Sequence, residues 1–297
     1  MYQDRLAAIR EQDRERALFG AQHHKHRSLP PLDESELAAI EAAVGVQLPA
    51  AYRRYVAEVS GGGMGPGYGL PWLPAVLDDP ESDRLPHQSV AARMFPDDEA
   101  RAWAGQEFAP LSDAEIQERL ASFPPAVAEQ QLRAAAWVRS HEGRRNRYID
   151  HCCEQLRTMR GERAKLPFPF TSRHTAAPEI DEIDWQSLDS DTFEREWSRL
   201  RRDYGFDAAE NGTLRLSNYG CGVTALLVVT GTARGAVWMY DTENLVLEPF
   251  FPEWANWHDF PSPEPPWDFD AWIQHWMDGA EERLRQGVRP AGRLLWD

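Results

Sequence analysis

The stretch Ser217–Phe251 limits what this chain can fold into more than any other. Within it, Val223–Val229 is almost continuously apolar and β-branched, with glycines on both sides. That run is too short for a self-standing helix and matches a strand buried on both faces, hence a central strand. Gly231–Gly235 supplies a turn. Ala236–Asp241 follows as a second strand, with Val237 and Met239 on one face and Trp238 and Tyr240 on the other, because side chains alternate across a strand. Asp241–Asn244 carries the side chains of a tight turn. Leu245–Leu247 is a third strand, which Pro249 ends or places at an edge. Such strands cannot cover their own faces, so helices from elsewhere must pack on them.

Helix signals lie on both sides of this block. Tyr2–Phe19 has a thin apolar stripe of Leu6, Ile9 and Leu18. Asp33 and Glu36 have the spacing of a capping box. Leu37, Ile40 and Val44 then share one helical face, and Gly45 is placed to stop it. Pro49 suits the first turn of the next helix, whose expected buried face is Tyr52, Tyr55, Val56 and Val59. Gly61–Gly63 reads as a helix stop and a flexible turn; the lysine and Ser/Thr of a phosphate loop are missing. Gly67–Leu73 reads as a short extended segment, the first strand of the sheet, with prolines that suit an edge. Near the C-terminus, Asp268 is a cap and Phe269, Trp272, Ile273 and Trp276 fall on one helical face, the core side of a last helix.

Taken in order, the capped helix, the segment Gly45–Pro49, the helix with Tyr52 and Tyr55, the glycine cluster, Gly65–Leu70, and far downstream Gly220–Gly222, the apolar strand and Gly235–Trp238 resemble the SUKH superfamily, in its Smi/Knr-like branch. The resemblance covers Leu32–Leu73 and Leu214–Leu284. It implies an α+β fold in which N-terminal helices and a C-terminal helix flank a mainly antiparallel sheet. It also implies an immunity role for many bacterial members, which bind and neutralise a co-produced toxin, and regulatory or scaffold roles for others. It carries no catalytic residue set. The chain departs from the family in the long span 74–213 between the two motif blocks. Ser112 with Glu115, Pro125–Ser140, Asn146–Arg160 and the row Phe193, Trp197, Leu200 make this span mostly helical. It is either a helical subdomain or a set of helices on the sheet's open face. The expected organisation is an N-terminal helix and linker (1–31), a first SUKH-like part (32–73), the helical insertion (74–213), and a second SUKH-like part ending in a helix (214–297).

Composition excludes several functions. A formal net charge of −16 over 297 residues argues against broad nucleic-acid binding and favours attraction of a basic partner. No apolar run approaches the roughly eighteen residues of a membrane-spanning helix, so no membrane partner is expected. The first residues lack the apolar segment of a signal peptide, and Cys152, Cys153 and Cys221 are sparse; the chain is expected in the cytoplasm with reduced thiols. Metalloprotease, nucleophile-elbow, phosphate-loop and Cys-x-x-Cys motifs do not occur, so neither catalysis nor a cofactor or metal is expected. His23, His24 and His26 lack metal-ligand spacing and read as a solvated basic linker. Cys221, between two glycines, reads as a small buried residue at a tight bend rather than a nucleophile.

Glu179–Asp191 is an acidic run without a base. Either it mimics an acidic ligand and docks a basic partner, or it is a solvated loop leading into a helix whose N-terminus favours acids. The second reading is preferred. The functional expectation is a non-enzymatic binding protein of the immunity type, acting on a cognate protein toxin domain that is basic if charge steers the encounter. The alternative is a regulatory scaffold of the same fold that binds endogenous proteins or a small ligand. Expected partner contacts are Tyr68, Trp72, Asp78, Asp79, Asp181, Asp184, Trp254 and Trp257, with aromatic anchors holding the partner and acids raising the on-rate.

Overall fold

In the computed structural model, which describes residues 2–71, 73, 162–250 and 266–287, the apolar run becomes the heart of a five-stranded antiparallel sheet. Its strands are β1 (His174–Thr175), β2 (Thr213–Gly220), β3 (Val223–Val228), β4 (Val237–Asp241) and β5 (Val246–Pro249), in the order β1-β5-β4-β3-β2. Every residue of β3 is buried between β4 and β2. Ala225 and Leu227 enter one core, Leu226 and Val228 the other. The alternation expected of β4 holds: Val237 and Met239 face the first core, Trp238 and Tyr240 the second. Fully burying side chains of this size stabilises by roughly 1.5–3 kcal/mol each.

Local chemistry sets the turns. Between β2 and β3, Cys221 (φ 46°) and Gly222 (φ 73°) are both left-handed, the signature of a two-residue hairpin turn that matches the strand twist. Such a turn points its central side chain outward, so Cys221 is exposed rather than buried as its glycine neighbours suggested. Between β4 and β5, the buried Asp241 carboxylate accepts from Glu243 N (2.9 Å), Asn244 N (2.9 Å) and Asn244 Nδ2 (2.7 Å).

Around the sheet lie α1 (Tyr2–Gln12), α2 (Ala21–His24), α3 (Glu34–Val44), α4 (Ala50–Glu58), α5 (Ala177–Ile180), α6 (Ser190–Asp203) and α7 (Phe269–Arg285). The Asp33–Glu36 capping box is formed in both directions, and Gly45 ends α3 at φ 77°. Asp268 caps α7 by accepting from Ala271 N at 2.8 Å. On the first face, Phe269 of α7 sits against the rings of Tyr52 (4.9 Å) and Tyr55 (5.1 Å) of α4. Arg5 of α1 reaches across to Asp278 and Glu281 of α7, at 2.6 and 2.7 Å. Val59 is only half-buried, because α4 ends one residue earlier.

Residues 162–213 cover the second face. Phe168, Ala176, Leu200, Phe206 and Ala209 pack on Leu226, Val228, Trp238, Tyr240 and Leu247. Phe206 stacks on Tyr240 with 5° between the ring planes. This span also supplies β1, which pairs with β5 through His174 and Thr175. The proposed cap at Ser112, the helical patterns of Pro125–Ser140 and Asn146–Arg160, and their cysteines lie outside the described residues.

Two further expectations change. The described part of Gly67–Leu73 is not a strand of the sheet and touches it through one backbone bond, from Tyr68 N to the Asn218 carbonyl of β2 at 2.8 Å. Gly63 and Leu70 exchange both backbone hydrogen bonds (2.8 Å each), closing a loop on themselves, while Gly67 (φ 58°) and Gly69 (φ 102°) rule out a regular ladder. Gly61–Gly63 is a packed turn rather than a flexible one: all three are buried, and a Cβ on Gly63 would lie 2.1 Å from the Arg27 carbonyl oxygen. Among the described residues, no helix is long and apolar enough to cross a membrane.

Candidate functional site

The acidic run Glu179–Asp191 wraps the outer side of the second layer. Asp189 caps α6 by accepting from Thr192 N at 2.9 Å. Glu179 accepts from Arg199 Nη2 (2.7 Å) and from the Tyr204 hydroxyl (3.1 Å), which ties α5 to the far end of α6. The Arg199 hydrogen bond holds the Glu179 carboxyl below its usual pKa. Structure has thus absorbed two of the acids in the run. Asp181, Glu182 and Asp184 are exposed and form no ion pair with any described residue. Asp181 and Asp184, both expected partner contacts, stand exposed.

These acids border an aromatic groove. Phe193 and Trp197, one helical turn apart on α6, stack at 6.1 Å with 7° between planes. Trp185 meets both edge-on, at 5.3 Å from Phe193 and 5.6 Å from Trp197. Its indole donates to the Ile180 carbonyl at 2.9 Å, which fixes the ring. The row Phe193, Trp197, Leu200 lies on the helix expected of it, but of the three only Leu200 is buried; Phe193 is 38% exposed. The opposite wall is the β4–β5 turn, Thr242, Glu243 and Asn244, and Arg201 closes one end. The groove encloses about 520 Å³.

The groove continues along one end of the sheet. Thr242 N donates to the Gly222 carbonyl at 3.0 Å, so the two hairpin turns touch. Next in line are exposed Cys221 and Gly220, where a Cβ would lie 2.5 Å from the Tyr68 hydroxyl. Tyr68 itself stacks on His23 at 3.9 Å and neighbours Phe19 at 5.7 Å. The structure therefore places Tyr68, Asp181 and Asp184 along one margin, bridged by the hairpin turns. Trp72, Asp78, Asp79, Trp254 and Trp257 lie outside the described residues. Sequence reasoning missed Trp185, Phe193 and Glu243 as surface groups. The available signal was the i, i+4 aromatic pair next to an acidic loop.

The histidine cluster is not a solvated linker. His24 and His26 are buried, and the reason is Asp13, out of sight in a local reading. Asp13 Oδ1 accepts from Ala17 N (2.6 Å); Oδ2 accepts from Leu18 N (3.1 Å) and from His26 Nε2 (2.8 Å). The same carboxylate accounts for α1 stopping at Gln12 rather than running to Phe19. His24 Nδ1 in turn accepts from His26 N at 3.1 Å. Burial pushes the pKa of both imidazoles down, most strongly for His24, while the Asp13 carboxylate opposes the shift at His26. Among the described residues no group of three or more His, Cys, Asp and Glu side chains is placed to hold a metal ion.

No family model, curated protein or solved structure matches this chain. Chemically, the groove offers aromatic surface, unpaired carboxylates and one guanidinium.

Proposed function

We propose that this chain is a cytoplasmic, non-enzymatic binding protein of the SUKH immunity kind, which neutralises a cognate toxin domain by direct stoichiometric binding. The observation that carries the reading is the Trp185–Phe193–Trp197 cluster, packed ring on ring at the surface beside carboxylates that pair with no described cation. Aromatic side chains fixed in this way lose little entropy on binding and dominate interface energetics. Asp181, Glu182, Asp184 and Glu243 add to the field of a chain with net charge −16, which favours a basic partner and speeds its approach. A stable interface needs roughly 800 Å² on each side, more than the groove offers, so the contact extends over the hairpin turns to Tyr68.

Affinity capture from the source cell's lysate, washed with rising salt, tests this reading. The expected result is one stoichiometric partner with a toxin-like domain whose activity is abolished by an equimolar amount of this chain. Recovery of several housekeeping proteins, or of nothing above background, would move the reading to the scaffold alternative.

A further inference from the structure

A second cavity lies on the other side of the sheet, between α7 and the end of β2. Its walls are Phe19, Tyr219, Phe250, Trp272 and Trp276, and Arg283 stands at its mouth. Four of the rings touch in a chain, and His275 adds a polar edge to the wall. Tyr219 lies parallel to Phe19 (7° between planes, 6.4 Å) and packs on Phe250 at 5.6 Å, which meets Trp272 edge-on at 5.8 Å. The space is about 110 Å³. A closed cavity of about 150 Å³ accommodates benzene; this one is smaller but open on one side, so it limits a ligand to a single ring that projects in part into the mouth.

Two features argue that the space is meant for a ligand. The first is Gly279, in the interior of α7 on the row that carries Trp272, Trp276 and Arg283. Glycine is unfavourable within a helix. Yet a Cβ here would meet nothing within 4 Å, so close packing does not explain it. Its effect is to leave the ring space open. The second is Arg283, exposed and without an ion pair to any described residue, although α7 is rich in acids and Arg285 pairs with Glu282. An aromatic-walled slot with a guanidinium that pairs with no described residue at its entrance matches one ligand chemistry. Aromatic walls take a flat ring, and guanidinium binds a carboxylate through two parallel hydrogen bonds.

We propose that this cavity binds a small planar aromatic carboxylate, with its ring between Tyr219, Phe250 and Trp272 and its carboxylate on Arg283. The site lies across the sheet from the aromatic groove, although its wall Phe19 adjoins Tyr68 at 5.7 Å at the far end of the partner contact; its test uses the chain alone and does not depend on a toxin.

The test is a titration of the full chain with benzoate, and with benzamide as the neutral isostere, followed by calorimetry and by tryptophan fluorescence, since Trp272 and Trp276 line the site. Benzoate should bind saturably and more tightly than benzamide. Gly279→Leu fills the ring space with a better helix former and should abolish binding of both probes while circular dichroism stays unchanged. Arg283→Gln should weaken benzoate about tenfold and leave benzamide unaffected. Three results would each overturn the proposal: no saturable benzoate binding, equal affinity for the two probes, or benzoate bound by Gly279→Leu as by the unaltered chain.

Discussion

Asp13 is the residue whose removal has the most predictable cost. Its carboxylate is 2% exposed and satisfies three donors: Ala17 N, Leu18 N and His26 Nε2. Asp13→Ala leaves all three without an acceptor. Each orphaned buried donor costs about 1–3 kcal/mol, so roughly 3–6 kcal/mol follows if the site relaxes in part. That is a large share of the ~5–15 kcal/mol by which a domain is stable. Asp13→Asn separates chemistry from shape. Its Oδ1 still accepts from Ala17 N, and its amide can donate to His26 Nε2 once that imidazole moves its proton to Nδ1; only Leu18 N loses its acceptor. The asparagine variant should cost about 1–3 kcal/mol. Urea titration reads both. With a slope of about 2–3 kcal/mol per molar, Asp13→Ala should lower the midpoint by roughly 1–3 M, and Asp13→Asn by about half as much or less. A cost below about 1 kcal/mol for the alanine variant, or equal costs for the two, would refute the idea that this carboxylate organises the N-terminal segment.

Further predictions follow from the same geometry. The buried imidazoles of His24 and His26 have folded pKa values below the unfolded value of 6.5, so the unfolded chain binds more protons as pH falls below it. Stability contributed by keeping them neutral is present above pH 6.5 and is lost as the pH falls toward their folded pKa values; the groups facing them are Asp13, Arg16 and His23. Thermal melts between pH 7.5 and 5 should show this loss, and His24→Asn, which keeps an acceptor for His26 N, should flatten it. Gly279→Ala should raise stability by about 0.5–1 kcal/mol, measured as a higher urea midpoint, because the added methyl meets nothing. Cys221→Asn should be neutral or stabilising by about 0.5 kcal/mol, since asparagine followed by glycine suits a turn with two left-handed residues. At the partner surface, Trp197→Ala should act through faster dissociation, and Asp181→Asn with Asp184→Asn through slower association; surface plasmon resonance showing the reverse would contradict the assigned roles.

What could be read from the sequence was what local chemistry decides. The runs that became β3, β4 and β5 carry their alternation and turn residues within a short span, and the caps at Asp33 and Asp268 need only their own helix. Long-range pairing was not legible. β1 is two residues with no strand signal of their own; it exists because the free edge of β5 accepts His174 and Thr175. β2 was hidden because two register shifts, between Arg215 and Ser217 and between Asn218 and Gly220, break its alternation. The burial of His24 and His26 depends on a carboxylate beyond the local window. Helical spacing identified Phe193, Trp197 and Leu200 as one face but could not tell that the layer ends at Leu200. For that reason the acids Asp181 and Asp184 were legible as candidates while the aromatic groove between them and the β4–β5 turn was not.

The central claim is that the groove and the adjoining hairpin turns form the partner surface. The most direct test is parallel capture with the unaltered chain and a Phe193→Ala/Trp197→Ala variant, with alkylation of Cys221 measured by mass spectrometry on the captured complex. Cys221 lies midway along the proposed contact, so it reports occupancy of that margin. The account predicts that the unaltered chain retains its partner and protects Cys221, and that the variant, weakened about 30-fold or more, loses both. A partner held equally by the variant, with Cys221 still open to alkylation, would contradict it.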